Sequence, residues 1–176
     1  GSVGELGILS FNGNKIITTG GGGMILTNDE EIAKKAKHIT TTAKLPHKWE
    51  FEHDETGFNY RLPNINAALG VAQLENIDLF IKKKRELADI YRVWGKSNDY
   101  TFLRESENVQ SNYWLNTLLL KNKVEKEKFL TETNKSNIMT RPIWIPMHLL
   151  GIHKDCFSSN LDNTCWLYER IVNVPS

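Results

Sequence analysis

The chain has 176 residues, 40% hydrophobic and 24% charged, a length that suits one domain or two small ones. With 22 Lys+Arg against 21 Asp+Glu, it lacks the basic excess that a nucleic-acid or acidic-surface binder normally carries. No apolar run approaches the roughly 18 residues needed to span a bilayer.

The N-terminus, Gly1-Ser2-Val3-Gly4-Glu5, lacks the basic and apolar regions of a signal peptide. With no Met at its head, the chain reads as carrying a cloning scar or as a piece of something longer. Leu6 to Phe11 is apolar enough for a short buried strand, and Met24 to Thr27 for a second. Asn28-Asp29 makes a turn and a cap, and Glu30 to His38 carries helical spacing, with Ile32, Ala33 and Ala36 on one side. The polar stretch from Thr40 to Tyr60 shows no period. It is long for a structureless connection, and such loops are often functional.

Pro63-Asn64 opens the longest helical region, which runs to Trp94-Gly95. More than about 25 residues of helix is long for a globular domain, so two consecutive helices with a break near Glu75 are expected. Lys82-Lys83-Lys84-Arg85 reads as a solvated helix face. Beyond Lys96 the texture changes. Tyr100 to Leu103 and Tyr113 to Leu120 read as strands, Val124 to Thr133 as a helix, and Ile138 to Trp144 as another strand. The fold class is therefore α/β, with residues 1–96 in one domain and 97–176 in a small C-terminal one. Cys156 and Cys165 form no disulfide framework and no C-x-x-C pair, and read as reduced thiols. No His/Cys/Asp spacing suggests a metal site.

The chemistry concentrates near the start. Ser10-Phe11-Asn12-Gly13-Asn14-Lys15 sets a hydroxyl and a lysine five residues apart, and Gly20 to Gly23 follows. An ordinary lysine, with a pKa of about 10.4, is a poor nucleophile at neutral pH. Burial or a neighbouring cation activates it, and its usual covalent role is a Schiff base with a carbonyl such as the aldehyde of pyridoxal phosphate. That cofactor also needs hydroxyls and backbone N–H groups around its phosphate. Taken alone the pattern is also that of a surface lysine. The glycines match neither G-x-G-x-x-G nor a P-loop, and read equally as a flexible turn between two strands.

Three separated blocks resemble the DegT/StrS family of pyridoxal phosphate-dependent nucleotide-sugar aminotransferases. The first runs from Gly4 to Lys15 and through Gly22 to Asp29. The second is Gly57-Phe58-Asn59-Tyr60-Arg61-Leu62-Pro63-Asn64 to Gly70. The third is Arg141-Pro142-Ile143-Trp144-Ile145-Pro146-Met147-His148, with Glu169 to Ser176 as the closing segment. The spelling around Lys15 and the loop Pro46 to Phe51 are most similar to the branch acting on nucleotide-linked 4-keto-6-deoxy sugars, of legionaminic acid or bacillosamine type.

The resemblance implies that Lys15 holds the cofactor as a Schiff base and shuttles a proton, with glutamate as amino donor. It implies that Ser10 binds the cofactor phosphate. It also implies that Asn59 reaches the phosphate in a neighbouring subunit, hence a cytoplasmic homodimer with shared sites. Arg61 and His148 would lie near the substrate entrance. Their plain alternatives are a structural ion pair and a satisfied, partly buried histidine. His47 and His53 read as solvated loop residues. Lysine rather than histidine at position 15 argues for transamination over dehydration.

Such cofactors also need a carboxylate against the pyridinium nitrogen, and the only one before Lys15 is Glu5. The resemblance thus implies a C-terminal portion of a fold-type I aminotransferase, inactive alone. A non-catalytic dimerisation remnant and a generic α/β domain with a solvated Lys15 are the alternatives.

Overall fold

The computed structural model describes residues 3–176. It divides into two compact units, the first ending at Phe80 and the second comprising Ile81–Ser176.

In the first unit, β1 (Gly7–Ser10) and β2 (Gly23–Leu26) pair antiparallel, with Gly7 opposite Leu26 and Ser10 opposite Gly23. Gly23 is required there, because a Cβ would stand 2.6 Å from the Leu9 carbonyl oxygen. Helix α1 (Glu30–Thr40) is capped by Asp29, whose carboxylate accepts the N–H groups of Glu31 and Ile32 at 2.8 and 2.9 Å. Glu30 and Glu31 lie at its positive end, Lys37 and His38 at its negative end, which suits the helix dipole. As the spacing predicts, the long helical region is broken. α2 (Asn64–Leu74) stops before Glu75 and α3 (Ile77–Ser97) starts two residues later.

The first strand does not meet its expectation of burial. Ile8 is 68% exposed, and Leu9, Met24, Ile25 and Leu26 stay above 40%. Successive side chains on a strand point to opposite faces, so both faces of this two-stranded ribbon are open. Among the described residues of the unit, Gly7, Thr19 and Ala43 are the buried ones.

The second unit has a proper core. β3 (Thr101–Phe102), β4 (Asn116–Leu119), β5 (Arg141–Pro142) and β6 (Ile171–Val174) form an antiparallel sheet in the order β3-β4-β6-β5. Central β6 is buried throughout. Phe102, Leu118, Leu120, Val172 and Val174 form the core cluster, with Tyr91, Tyr100, Phe129 and Leu130 against it. Tyr91 belongs to α3 and stacks on Phe102 with ring centroids 5.1 Å apart. That packing draws most of α3 into the second unit, so the division falls inside the helix rather than at its end near residue 96. Helices α4 (Lys123–Lys135) and α5 (Asp162–Tyr168) complete the unit, with two 3-10 turns at Met147–Leu149 and Gly151–His153.

The expected strand over Ile138 to Trp144 shrinks to Arg141–Pro142, since Pro142 has no N–H to continue a ladder. The expected strand over Tyr113 to Leu120 shortens to Asn116–Leu119, because buried Tyr113 has φ +45°. That left-handed conformation is incompatible with a strand.

Candidate active site

The segment after β1 is a closed loop. Its base is the Phe11 carbonyl, which accepts the Thr19 N–H at 3.0 Å and the Thr18 hydroxyl at 3.1 Å. The Phe11 N–H in turn donates to the Gly22 carbonyl at 3.0 Å. Within the loop, the Lys15 N–H donates to the Asn12 carbonyl at 3.0 Å, and the Asn12 side-chain amide donates to Asn14 Oδ1 at 3.1 Å. Lys15 is half-buried and Ser10 exposed. The Ser10 hydroxyl accepts from the Asn12 N–H at 3.4 Å, an arrangement that leaves its proton available to an anionic oxygen.

The glycine turn is structured rather than loose. Gly20 and Gly22 have φ of +78° and +98°, conformations that glycine adopts without steric cost. The Gly20 N–H donates to the Thr18 hydroxyl at 2.9 Å, and the Thr19 hydroxyl bonds the Gly21 carbonyl. A hydroxyl, a lysine amine and a glycine turn are part of the group set that a phosphate-bearing aldehyde requires. The residues present therefore fit pyridoxal phosphate.

The polar stretch after α1 is a folded excursion, not an irregular loop. Isolated bridges join Thr41 to Asn59 and Lys44 to His53. The N–H groups of Thr42, Phe58 and Tyr60 donate to the carbonyls of Phe58, Ile39 and Thr40 at 3.0, 2.7 and 2.9 Å. Gly57 permits this closeness, because a Cβ there would lie 2.4 Å from the Thr42 carbonyl carbon. Asn59 and Arg61 sit on the returning limb, both exposed. The Arg61 guanidinium donates to the Thr41 carbonyl at 3.4 Å, so among the described residues its recorded partner is backbone and not a carboxylate. His47 is not merely solvated, since its Nδ1 accepts the Glu50 N–H at 2.9 Å. His53 Nδ1 lies 2.7 Å from the Thr42 carbonyl oxygen.

Across the same excursion, His38 Nε2 lies 2.6 Å from Asp54 Oδ1 and 3.6 Å from Glu55 Oε1. Their ligand atoms fall within 4.8 Å of one another, a grouping that sequence spacing did not suggest. Lys35 Nζ is 2.5 Å from Glu55, and the hydrogen bond from His38 holds the Asp54 carboxyl below its ordinary range. The group thus works as a hydrogen-bonded cluster pinning the excursion to α1.

His148 lies in the second unit, on the first 3-10 turn, with its Nε2 3.4 Å from Cys165 Sγ. It is half-buried. In the first unit, a cavity of about 880 Å³ is lined by Ile8, Met24, Leu26, Ala33 and Ala36, together with Gly21 to Gly23 and Arg61. Ser10, Lys15 and Asn59 do not line it. Its walls mix those apolar side chains with the polar Lys37, Thr40, Tyr60 and Asn66.

Two residues that sequence reasoning passed over touch the lysine loop. The Asn66 side-chain amide donates to the Thr19 carbonyl at 2.5 Å, and Gln73 Oε1 accepts the Thr18 N–H at 3.3 Å. The readable signal was two amide side chains seven residues apart, two helical turns, in a helix that beyond Asn64 at its start is otherwise made of apolar and small residues.

Comparison with known proteins bears on the family and the fold. The chain is 36% identical over 181 residues to the GDP-perosamine synthase of Escherichia coli O157:H7, covering 100% of itself and 48% of that protein. It is 42% identical over 185 residues to EpsN of Bacillus subtilis, covering 100% of itself and 46% of EpsN. Among solved structures, Helicobacter pylori PseC, an aminotransferase involved in the biosynthesis of pseudoaminic acid, superposes with a TM-score of 0.88 at 27% identity. That match covers 97% of this chain and 47% of PseC. The chain spans about half the length of the relatives it matches. The expectation of a C-terminal portion is corrected to a portion of about half the relatives' length. The α/β fold is that of the sugar aminotransferases. The DegT/DnrJ/EryC1/StrS aminotransferase family matches residues 1–176, and the chain belongs to that family.

Proposed function

We propose that the intact protein transfers an amino group to the keto carbon of a nucleotide-linked 4-keto-6-deoxy sugar, with glutamate as donor, in surface glycan biosynthesis. The family is one of aminotransferases, and EpsN carries pyridoxal phosphate dependence in its name. The E. coli relative is named for a GDP-linked sugar and a Campylobacter jejuni relative, 26% identical, for a UDP-linked amino sugar. The observation that carries the reading is the closed loop holding Lys15 between Phe11 and Thr18–Thr19, next to Ser10 and the Gly20–Gly23 turn.

The bound cofactor supplies an electron sink for the carbon that loses its proton. Lys15 would hold the cofactor aldehyde through its Nζ, and its amine would move the proton at the reacting carbon. The Ser10 hydroxyl donates to the cofactor phosphate. Asn59, exposed on the returning limb, donates to the phosphate in a second copy, which makes the working form a homodimer. Arg61 supplies charge to the phosphates of the sugar nucleotide, and His148 is separately a candidate substrate contact. The protein works in the cytoplasm, where two unbridged cysteines persist.

The activity is assigned to a polypeptide of the relatives' length, and the present chain is expected not to turn over by itself. A second reading, a non-catalytic dimerisation remnant, is favoured by the open apolar faces of β1 and β2. Incubation with pyridoxal phosphate followed by borohydride separates the two readings. A reduced adduct mapped to Lys15, absent from Lys15→Ala, supports the enzyme reading. Labelling spread over surface lysines at equal yield in both proteins refutes it.

A further inference from the structure

Helix α2 turns the wrong stripe inward. Its large apolar residues are open, with Ile65 85% exposed and Val71 58%. Its partly buried positions are Asn66, Gly70 and Gln73. These are spaced i, i+4 and i+7, so they form one stripe of the helix. An apolar helix that packs by a polar stripe departs from the usual pattern, and such departures mark functional positions.

What the stripe touches is the base of the Lys15 loop. Asn66 donates to the Thr19 carbonyl and Gln73 accepts the Thr18 N–H. Between them Gly70 leaves room for the Thr19 methyl, which a Cβ would approach at 3.0 Å. Thr19 is 2% exposed, one of the best-buried side chains of its unit. Thr18 and Thr19 are also the residues that close the loop on Phe11. Two amide side chains thus hold the Thr18 N–H and the Thr19 carbonyl, while the Phe11 carbonyl holds the Thr19 N–H and the Thr18 hydroxyl.

We infer that Asn66 and Gln73 are positioning residues for Lys15, acting through Thr18 and Thr19. The inference rests on the reading of Lys15 as the cofactor lysine. Its physical content is that a nucleophile on a loop reaches a fixed carbonyl only if the loop's base is fixed. Glycine at 70 is part of the device, since a Cβ there would crowd the Thr19 methyl at 3.0 Å.

The test uses the chain as it stands, with Gln73→Leu, which keeps the bulk and loses the acceptor, and Gln73→Glu, which keeps the acceptor. Amide exchange at Thr18 and Thr19 is read by NMR, and the initial rate of borohydride-fixed pyridoxal phosphate adduct at Lys15 by mass spectrometry. Gln73→Leu is expected to speed exchange at Thr18 about tenfold, the loss of one hydrogen bond, and to slow adduct formation severalfold. Gln73→Glu should restore both, with the urea midpoint of the second unit the same in all three proteins. Threonine amides that already exchange freely in the unmodified chain overturn the inference. So do exchange and adduct rates unchanged in Gln73→Leu, or a lowered second-unit midpoint that accounts for the slower adduct. Lys15→Ala tests the underlying reading separately: an adduct yield unchanged there overturns the cofactor assignment whatever Gln73 does.

Discussion

Gly57→Ala is the substitution that most sharply probes how the excursion carrying Asn59 is held. A Cβ at this position would meet the Thr42 carbonyl carbon at 2.4 Å, the Ala43 nitrogen at 2.5 Å and the Thr42 oxygen at 2.8 Å. All three are backbone atoms, so no side chain can rotate away. The returning limb must move by roughly 1 Å to reach ordinary van der Waals contact. The bonds at risk are those from the N–H groups of Thr42, Phe58 and Tyr60. At about 1 kcal/mol net each, their loss costs about 3 kcal/mol. Alanine lowers the conformational entropy of the unfolded chain and offsets about 0.5–1 kcal/mol of that. A net local destabilisation of about 2 kcal/mol corresponds to roughly 30-fold faster amide exchange at Phe58 and Tyr60. Gly13→Ala is the control, because nothing lies within 4 Å of its added Cβ. It should leave exchange unchanged. Equal protection at Phe58 and Tyr60 in Gly57→Ala and the unmodified chain would refute the argument from closeness.

Leu118→Ala removes a fully buried side chain between Phe102 and Val172, its register partners on the two flanking strands. The ladders on both sides resist collapse, so a loss of about 3–4 kcal/mol is expected, visible as a lower urea midpoint. Asp29→Ala deletes both side-chain bonds at the start of α1 and should cost about 1 kcal/mol of local stability, read by helical content on heating. Glu105 is held at about 2 by the bidentate Arg85 guanidinium first, and by the Ser111 N–H. Its folded pKa lies below the ordinary 4.5. Its contribution to stability is therefore complete above pH 4.5 and fades as pH falls toward 2. Glu105→Gln should flatten the acid limb of an unfolding series over that window, and an unchanged limb would count against the clamp.

The sequence spoke clearly wherever one local rule acted alone. Asp29 followed by Glu30 and Glu31 announces a helix start, and Asn76 with Asp78 announces the break before α3. It was weaker where tertiary partners decide. Tyr113 lies in an apolar run that looks like strand, yet the Arg92 guanidinium and the Glu105 N–H both donate to its hydroxyl at 3.3 Å. Those bonds and its positive φ keep it out of β4. β6 is too short, and too interrupted by Asn173, to be recognised by period. The Thr117 hydroxyl satisfies Asn173 Oδ1 at 3.0 Å, which lets a polar residue occupy a central strand. At the candidate site, Lys15 and Ser10 were legible from spacing. Asn66 and Gln73 were not, because polar residues on a helix are ordinarily read as its outer face.

The open faces of the β1–β2 ribbon have a calorimetric consequence. The heat capacity gained on unfolding, usually about 12–15 cal/mol/K per residue, comes from apolar surface newly given to water. Ile8, Leu9, Met24, Ile25 and Leu26 already give much of theirs. Melting the first unit therefore adds little to the heat-capacity step, and the curvature of the stability dome is set by the second unit, where Leu118 and Val172 are withdrawn completely.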